Sequence, residues 1–138
     1  MADDDAILRR LIRANPNPLD EVKATTLVRE WLEKNGWKLA ASRSHGVDVE
    51  AERDSERWLI EAKGWQAANS ANQQGAFNVA LGQCLRRMNR PDVKYSVAFS
   101  DIPVYRGLWE RLPKLAKERT TITCLFVTKA GNVEESSS

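Results

Sequence analysis

The spacing of apolar residues changes period several times along this chain. Over residues 19–35, Leu27, Val28, Trp31 and Leu32 recur three and four apart and, with Val22 ahead of them, read as the apolar stripe of a helix. Asn35-Gly36 supplies the stop, because glycine closes a helix in the left-handed conformation. Upstream, Ile7, Leu8, Leu11 and Ile12 have helical spacing over residues 6–14, and Asn15-Pro16-Asn17-Pro18 ends that segment. Residues 37–41 read as a short strand, followed by a turn over 42–46. The period then drops to two. Val47-Asp48-Val49-Glu50-Ala51-Glu52 alternates apolar and acidic, the mark of a half-buried strand. Trp58-Leu59-Ile60-Glu61-Ala62-Lys63 is apolar until it ends in an acid and a base. Arg53-Asp54-Ser55-Glu56 is the turn that folds the second strand back beside the first.

Residues 64–72 are small and polar, as in a loop. Residues 75–89 are expected to be helical, with Phe77, Leu81, Cys84, Leu85 and Met88 toward the core. Residues 95–99 form a buried strand. A helix begins at Asp101-Ile102-Pro103, with Leu108, Trp109, Leu112 and Leu115 as its apolar side. Residues 121–127 are the last strand. The order α-β-β-β-α-β-α-β predicts an α/β fold with a single mixed five-stranded sheet flanked by helices. The division expected is an N-terminal helical arm at 1–18, one domain at 19–131 and a disordered tail at 132–138. Trp31, Trp58 and Trp109 belong to the core, whereas Trp37 and Trp65 read either way.

Residues two apart on a strand share a face, so Glu61 and Lys63 point the same way. The turn brings Asp48 toward them. Two carboxylates and an amine at a strand end can hold a divalent cation and steer a water. Glu-x-Lys alone says little in a chain that is 29% charged. The ordered set is more specific: Gly46-Val47-Asp48, then Glu61-Ala62-Lys63, then Leu81-Gly82-Gln83 on a helix.

That set resembles the PD-(D/E)xK nuclease superfamily, the restriction-endonuclease-like fold. The resemblance implies a Mg²⁺- or Mn²⁺-dependent hydrolase that cuts phosphodiester bonds in DNA. It implies that Asp48, Glu61 and the backbone carbonyl of Ala62 are metal ligands. Lys63 orients or activates the attacking water and balances charge on the phosphate. Gln83 supports the site or touches the nucleic-acid backbone, with Gly82 allowing its helix close to the sheet. Some relatives add an acid from the first helix. Glu21 and Glu30 are the candidates, although Glu21 stands a turn earlier than the pattern asks. Bland readings remain beside these: Asp48 as an exposed strand carboxylate, Lys63 as an ion-pair partner, Gln83 as a surface glutamine.

A net charge of +2 neither requires nor excludes a nucleic-acid partner. The bases that could meet DNA are Arg86, Arg87 and Arg90, with Arg43, His45 and Trp65 flanking the motif and a loop rich in Gln and Asn beside them. Arg111, Lys114, Lys117 and Arg119 read as a solvated helix face. Cys84 and Cys124 look like buried thiols of a cytoplasmic protein, and with one histidine they give no zinc pattern. No segment has membrane-spanning length and apolarity. Cutting both strands of a duplex is most simply done by a homodimer. Two rival readings stay open: a catalytically inactive nucleic-acid-binding domain of the same fold, and a structural or partner-binding α/β domain.

Overall fold

The computed structural model describes residues 21–40, 48–63 and 70–138, without the side chains of Glu21, Val22, Asp48, Ser70, Ala71 and Asn72. Helix α1 is Glu21–Lys34. Strands β1 (Lys38–Leu39), β2 (Asp48–Arg53) and β3 (Glu56–Lys63) follow. Helix α2 (Ser70–Arg87) leads to β4 (Val93–Ser100). Helices α3 (Pro103–Arg111) and α4 (Lys114–Thr120) lead to β5 (Thr123–Val127), and β6 (Val133–Ser136) closes the sheet.

The fold is α/β, with one six-stranded mixed sheet in which spatial order equals chain order. β1, β2 and β3 are antiparallel. β3, β4 and β5 are parallel, and β6 returns antiparallel. Each parallel step needs a crossover, which α2 supplies first and α3 with α4 second. The β2–β3 hairpin pairs Arg53 with Glu56, so its loop is only Asp54-Ser55. Asp54 takes φ 56°, a left-handed conformation that a short polar side chain tolerates.

Alternation along the strands separates two cores. Val49, Ala51, Trp58, Ile60 and Ala62 pack with Ala24, Val28 and Leu32 of α1. On the other face Val97, Phe99, Cys124 and Phe126 pack with Phe77, Ala80 and Cys84 of α2 and with Tyr105 and Trp109 of α3. Trp37 joins the α1 core, 5.3 Å from Trp58 between ring centres. Glu61 alternates with Ile60 and Ala62, so it belongs to the face that α2 covers.

Several expectations need correction. The sheet has six strands, because residues 133–136 form β6 where a disordered tail was expected. Charge holds that polar edge: Arg106 Nη2 donates to Glu134 at 2.7 Å, and Lys94 Nζ lies 2.7 Å from Glu135. The helix after β4 breaks at Leu112-Pro113, since proline has no N–H to continue it. The break shifts the phase of the second piece. Leu115 is therefore exposed, and Lys117 of the supposedly solvated face is buried with its Nζ 4.6 Å from the Trp109 ring. α2 begins at Ser70, inside the expected loop, and Leu85 points outward. The strand read over 37–41 is only Lys38–Leu39. The helical arm over 1–18 and the turn over 42–46 lie outside the described residues. Among the described residues no helix is long and apolar enough to cross a membrane.

Candidate functional site

The β2–β3 ladder pairs Asp48 directly with Glu61. Opposed residues of an antiparallel pair are immediate neighbours, with Cα atoms about 4.5–5.5 Å apart. The pattern places this pair by requiring Val49 and Ala51 on the α1 face, which fixes the register. Ala62 and Lys63 run beyond the start of β2 and pair only with Ala98 and Phe99 of β4 among the described residues. The motif thus stands where the sheet's antiparallel half ends and its parallel half continues.

Glu61 has no solvent exposure. A buried carboxylate needs a cation, and α2 supplies one. Arg87 Nε lies 2.9 Å from Glu61 Oε1. Arg87 occupies the last turn of α2, where the helix dipole favours positive charge. Cys84, one turn earlier, feels the same carboxylate. Its thiol pKa is pushed up to about 12, first by burial and then by the Glu61 charge. Gln83 lies four residues before Arg87 on the same helix stripe. Its Oε1 is buried and accepts no hydrogen bond from the described residues. Gly82 does not bring the helix against the sheet, because a Cβ there would meet nothing within 4 Å.

The donors fit a divalent cation of the hard, oxygen-preferring kind. Magnesium is commonly held by only one or two carboxylates, with waters completing its shell. Asp48 and Glu61 provide that number in adjacent register positions. Among the described residues there is no group of three metal-ligating side chains.

The comparisons with known proteins concern the fold. No family model matches the chain, and no curated protein matches it in sequence. Solved structures do. The fold is similar to that of XisH family proteins. An XisH family protein from Nostoc punctiforme superposes with a TM-score of 0.58 at 20% identity, covering 81% of this chain and 96% of that one. An FdxN element excision controlling factor protein from Anabaena variabilis gives 0.58 at 19% identity, covering 81% of this chain and 95% of its own.

Of the remaining predicted residues, Arg86, Arg87 and Arg90 share one groove. Arg86 and Arg87 line a groove of about 360 Å³ with Arg57, Arg90, Glu50 and Glu52, beside the site rather than over it. Its charge is mixed, since Arg57 lies 3.9 Å from Glu50 and 3.8 Å from Glu52. Arg90 donates to Asp92 from Nε at 3.2 Å and Nη2 at 2.8 Å. Arg87, expected to face DNA, lines this groove and also meets Glu61. α1 packs on the opposite face of the sheet from Glu61, and Glu30 is exposed on it. Glu21 opens α1. Arg43, His45 and Trp65 lie outside the described residues.

One pair escaped the sequence reading. Gln73, which lies ahead of the helix expected over 75–89, is fully buried in the first turns of α2, where its Oε1 accepts the Tyr105 hydroxyl at 2.5 Å. Phe99 stacks on Tyr105 with ring centres 4.7 Å apart and pairs in the ladder with Lys63. The pair therefore packs at the sheet end where Lys63 stands. The signal was present: Gln73, Phe77, Ala80 and Cys84 repeat at helical spacing.

Proposed function

We propose that this domain hydrolyses phosphodiester bonds in DNA with the help of Mg²⁺ or Mn²⁺. The single observation that carries the reading is the direct pairing of Asp48 with a fully buried Glu61, two residues before Lys63. A fold shared with a protein described as an FdxN element excision controlling factor is in keeping with a DNA-processing role. Asp48, Glu61 and the Ala62 carbonyl would hold the cation. When bound, it supplies a Lewis acid for the phosphoryl group and lowers the pKa of a coordinated water. Lys63 shares the strand face of Glu61, so its ammonium orients the nucleophile and offsets charge developing on the phosphate. Gln83, with a buried amide oxygen, steadies this wall of the site. A duplex substrate calls for two such sites in a homodimer.

The test is a cleavage assay on duplex, branched, mismatched and single-stranded DNA, with Mg²⁺, Mn²⁺ or chelator, and Lys63→Ala as control. Metal-dependent cutting that the variant lacks supports the reading. Identical traces for the wild type and Lys63→Ala on every substrate would overturn it. A second reading has its own observation. Arg87 already neutralises Glu61, as it would in a domain that binds nucleic acid without cutting it. Calorimetry separates the two, because the hydrolase must bind the divalent cation and the inactive domain need not.

A further inference from the structure

Arg87 has two environments within reach. Inward, its Nε lies 2.9 Å from Glu61 Oε1. Outward, it lines the groove of about 360 Å³ that also carries Arg57, Arg86 and Arg90. Its side chain is 33% exposed whereas that of Glu61 is 1% exposed, so the arginine straddles the boundary between buried carboxylate and open groove. A long side chain at the end of a helix can move between such places by rotamer changes alone. The Glu61 backbone cannot follow it, because the residue is paired on both sides in a central strand between β2 and β4.

A guanidinium and a divalent cation compete for the same carboxylate oxygen. We infer that Arg87 is a built-in counter-ion for Glu61 in the metal-free protein, and that a divalent cation takes its place and releases the guanidinium into the groove. The inference rests on the metal reading of Asp48 and Glu61. It gives Arg87 two successive duties. Without metal it brings a counter-charge to a buried carboxylate. With metal it joins Arg57, Arg86 and Arg90 and turns the groove into a stronger site for a phosphate of the nucleic-acid strand. Metal loading and phosphate binding are then linked, each favouring the other.

The experiment titrates Mn²⁺ into the full chain by calorimetry for the wild type, Arg87→Met and Glu61→Gln. Removing the competitor should tighten Mn²⁺ binding by roughly tenfold, while the same variant melts at a lower temperature in chelator. Glu61→Gln should lose binding. Wild-type binding with unchanged or weaker affinity in Arg87→Met overturns the exchange and leaves the metal reading standing. No binding by wild type or variant overturns both. Should Arg87→Met fail to fold, the wild type still decides. Its Arg87 Nε–H resonance should move to the position of a solvent-exposed arginine as Mg²⁺ saturates the site. A resonance that stays in place at saturation overturns the exchange.

Discussion

Tyr105 donates its hydroxyl hydrogen to Gln73 Oε1 across 2.5 Å, with both side chains fully buried. The bond ties the start of α2 to the start of α3 at the sheet end where β3 finishes in Lys63. Tyr105→Phe keeps the ring and its stacking on Phe99 but removes the donor. Losing one partner of a buried hydrogen bond costs about 1–3 kcal/mol. The urea midpoint should fall by the corresponding amount with an unchanged slope. A midpoint equal to that of the wild type would show that the bond contributes nothing to stability.

Asp48→Asn keeps the size and strand position of the side chain and removes its charge. If Asp48 and Glu61 share a cation, saturating Mn²⁺ at 100 times the dissociation constant stabilises the wild type by about 2.7 kcal/mol. The variant should show little of this rise in melting temperature. An equal rise in both proteins would assign the metal elsewhere.

The Asp48–Glu61 pairing was legible because two short-range rules agree on it. Alternation puts Val49 and Ala51 on one face, and a two-residue turn leaves one register for the hairpin. Arg87 was not legible as the Glu61 partner. The two are far apart in sequence, and only the angle at which α2 crosses the sheet joins them. β6 was hidden for a related reason. Val133-Glu134-Glu135-Ser136 has too few apolar residues to read as a strand, and what holds it lies on other elements: the β5 ladder, with Arg106 and Lys94 paired to its two glutamates. Leu85 and Leu115 were misplaced because a stripe of leucines reveals neither its own width nor a break at Pro113. The fold class survives these errors because it depends on element order, which the turn and cap residues mark.

Lys63→Ala removes one charge from the face shared with Glu61 and leaves both carboxylates. The expected result is near-normal binding of metal and DNA with cleavage reduced by roughly 10²–10³-fold, the scale of losing one preorganised charge-stabilising group. The opposite pattern, early melting in chelator with normal cleavage once folded, would make Lys63 a structural ion-pair partner. Comparing melting temperature in chelator with single-turnover rate in Mg²⁺ separates the two.

Burial raises the pKa of both cysteines, Cys84 to about 12 and Cys124 well above its ordinary 9.0. Their thiols should therefore be inert to a disulfide reagent at pH 8 in the native protein, with two equivalents reacting in denaturant. The shift is upward for an acid that is neutral when protonated. Its stabilising effect is thus complete below pH 9.0 and is lost as pH rises from there toward about 12. Rapid native labelling at pH 8 would mean that the α2 face of the core opens far more readily than its packing suggests.

Arg106 binds both oxygens of Asp101, at 2.7 and 3.0 Å, and reaches Glu134 of β6 at 2.7 Å. Its guanidinium also lies 4.1 Å from the centre of the Phe126 ring. One side chain therefore fastens the edge strand to α3 and to the β4–α3 junction. Arg106→Met keeps much of the apolar stem but breaks the three charged contacts. The melting temperature should fall by on the order of a few degrees at pH 7, less in high salt, because the partners are part exposed. The hydrogen bond from Arg106 holds the Glu134 carboxyl below its ordinary pKa of 4.5. A lowered carboxyl stabilises the fold above its unfolded pKa and stops doing so as pH falls through the folded value. The gap between wild type and Arg106→Met should therefore be full at pH 7 and narrow as the pH falls below 4.5. A gap of the same size at pH 3 would assign the role of Arg106 to packing on Phe126 and not to the charge that holds β6.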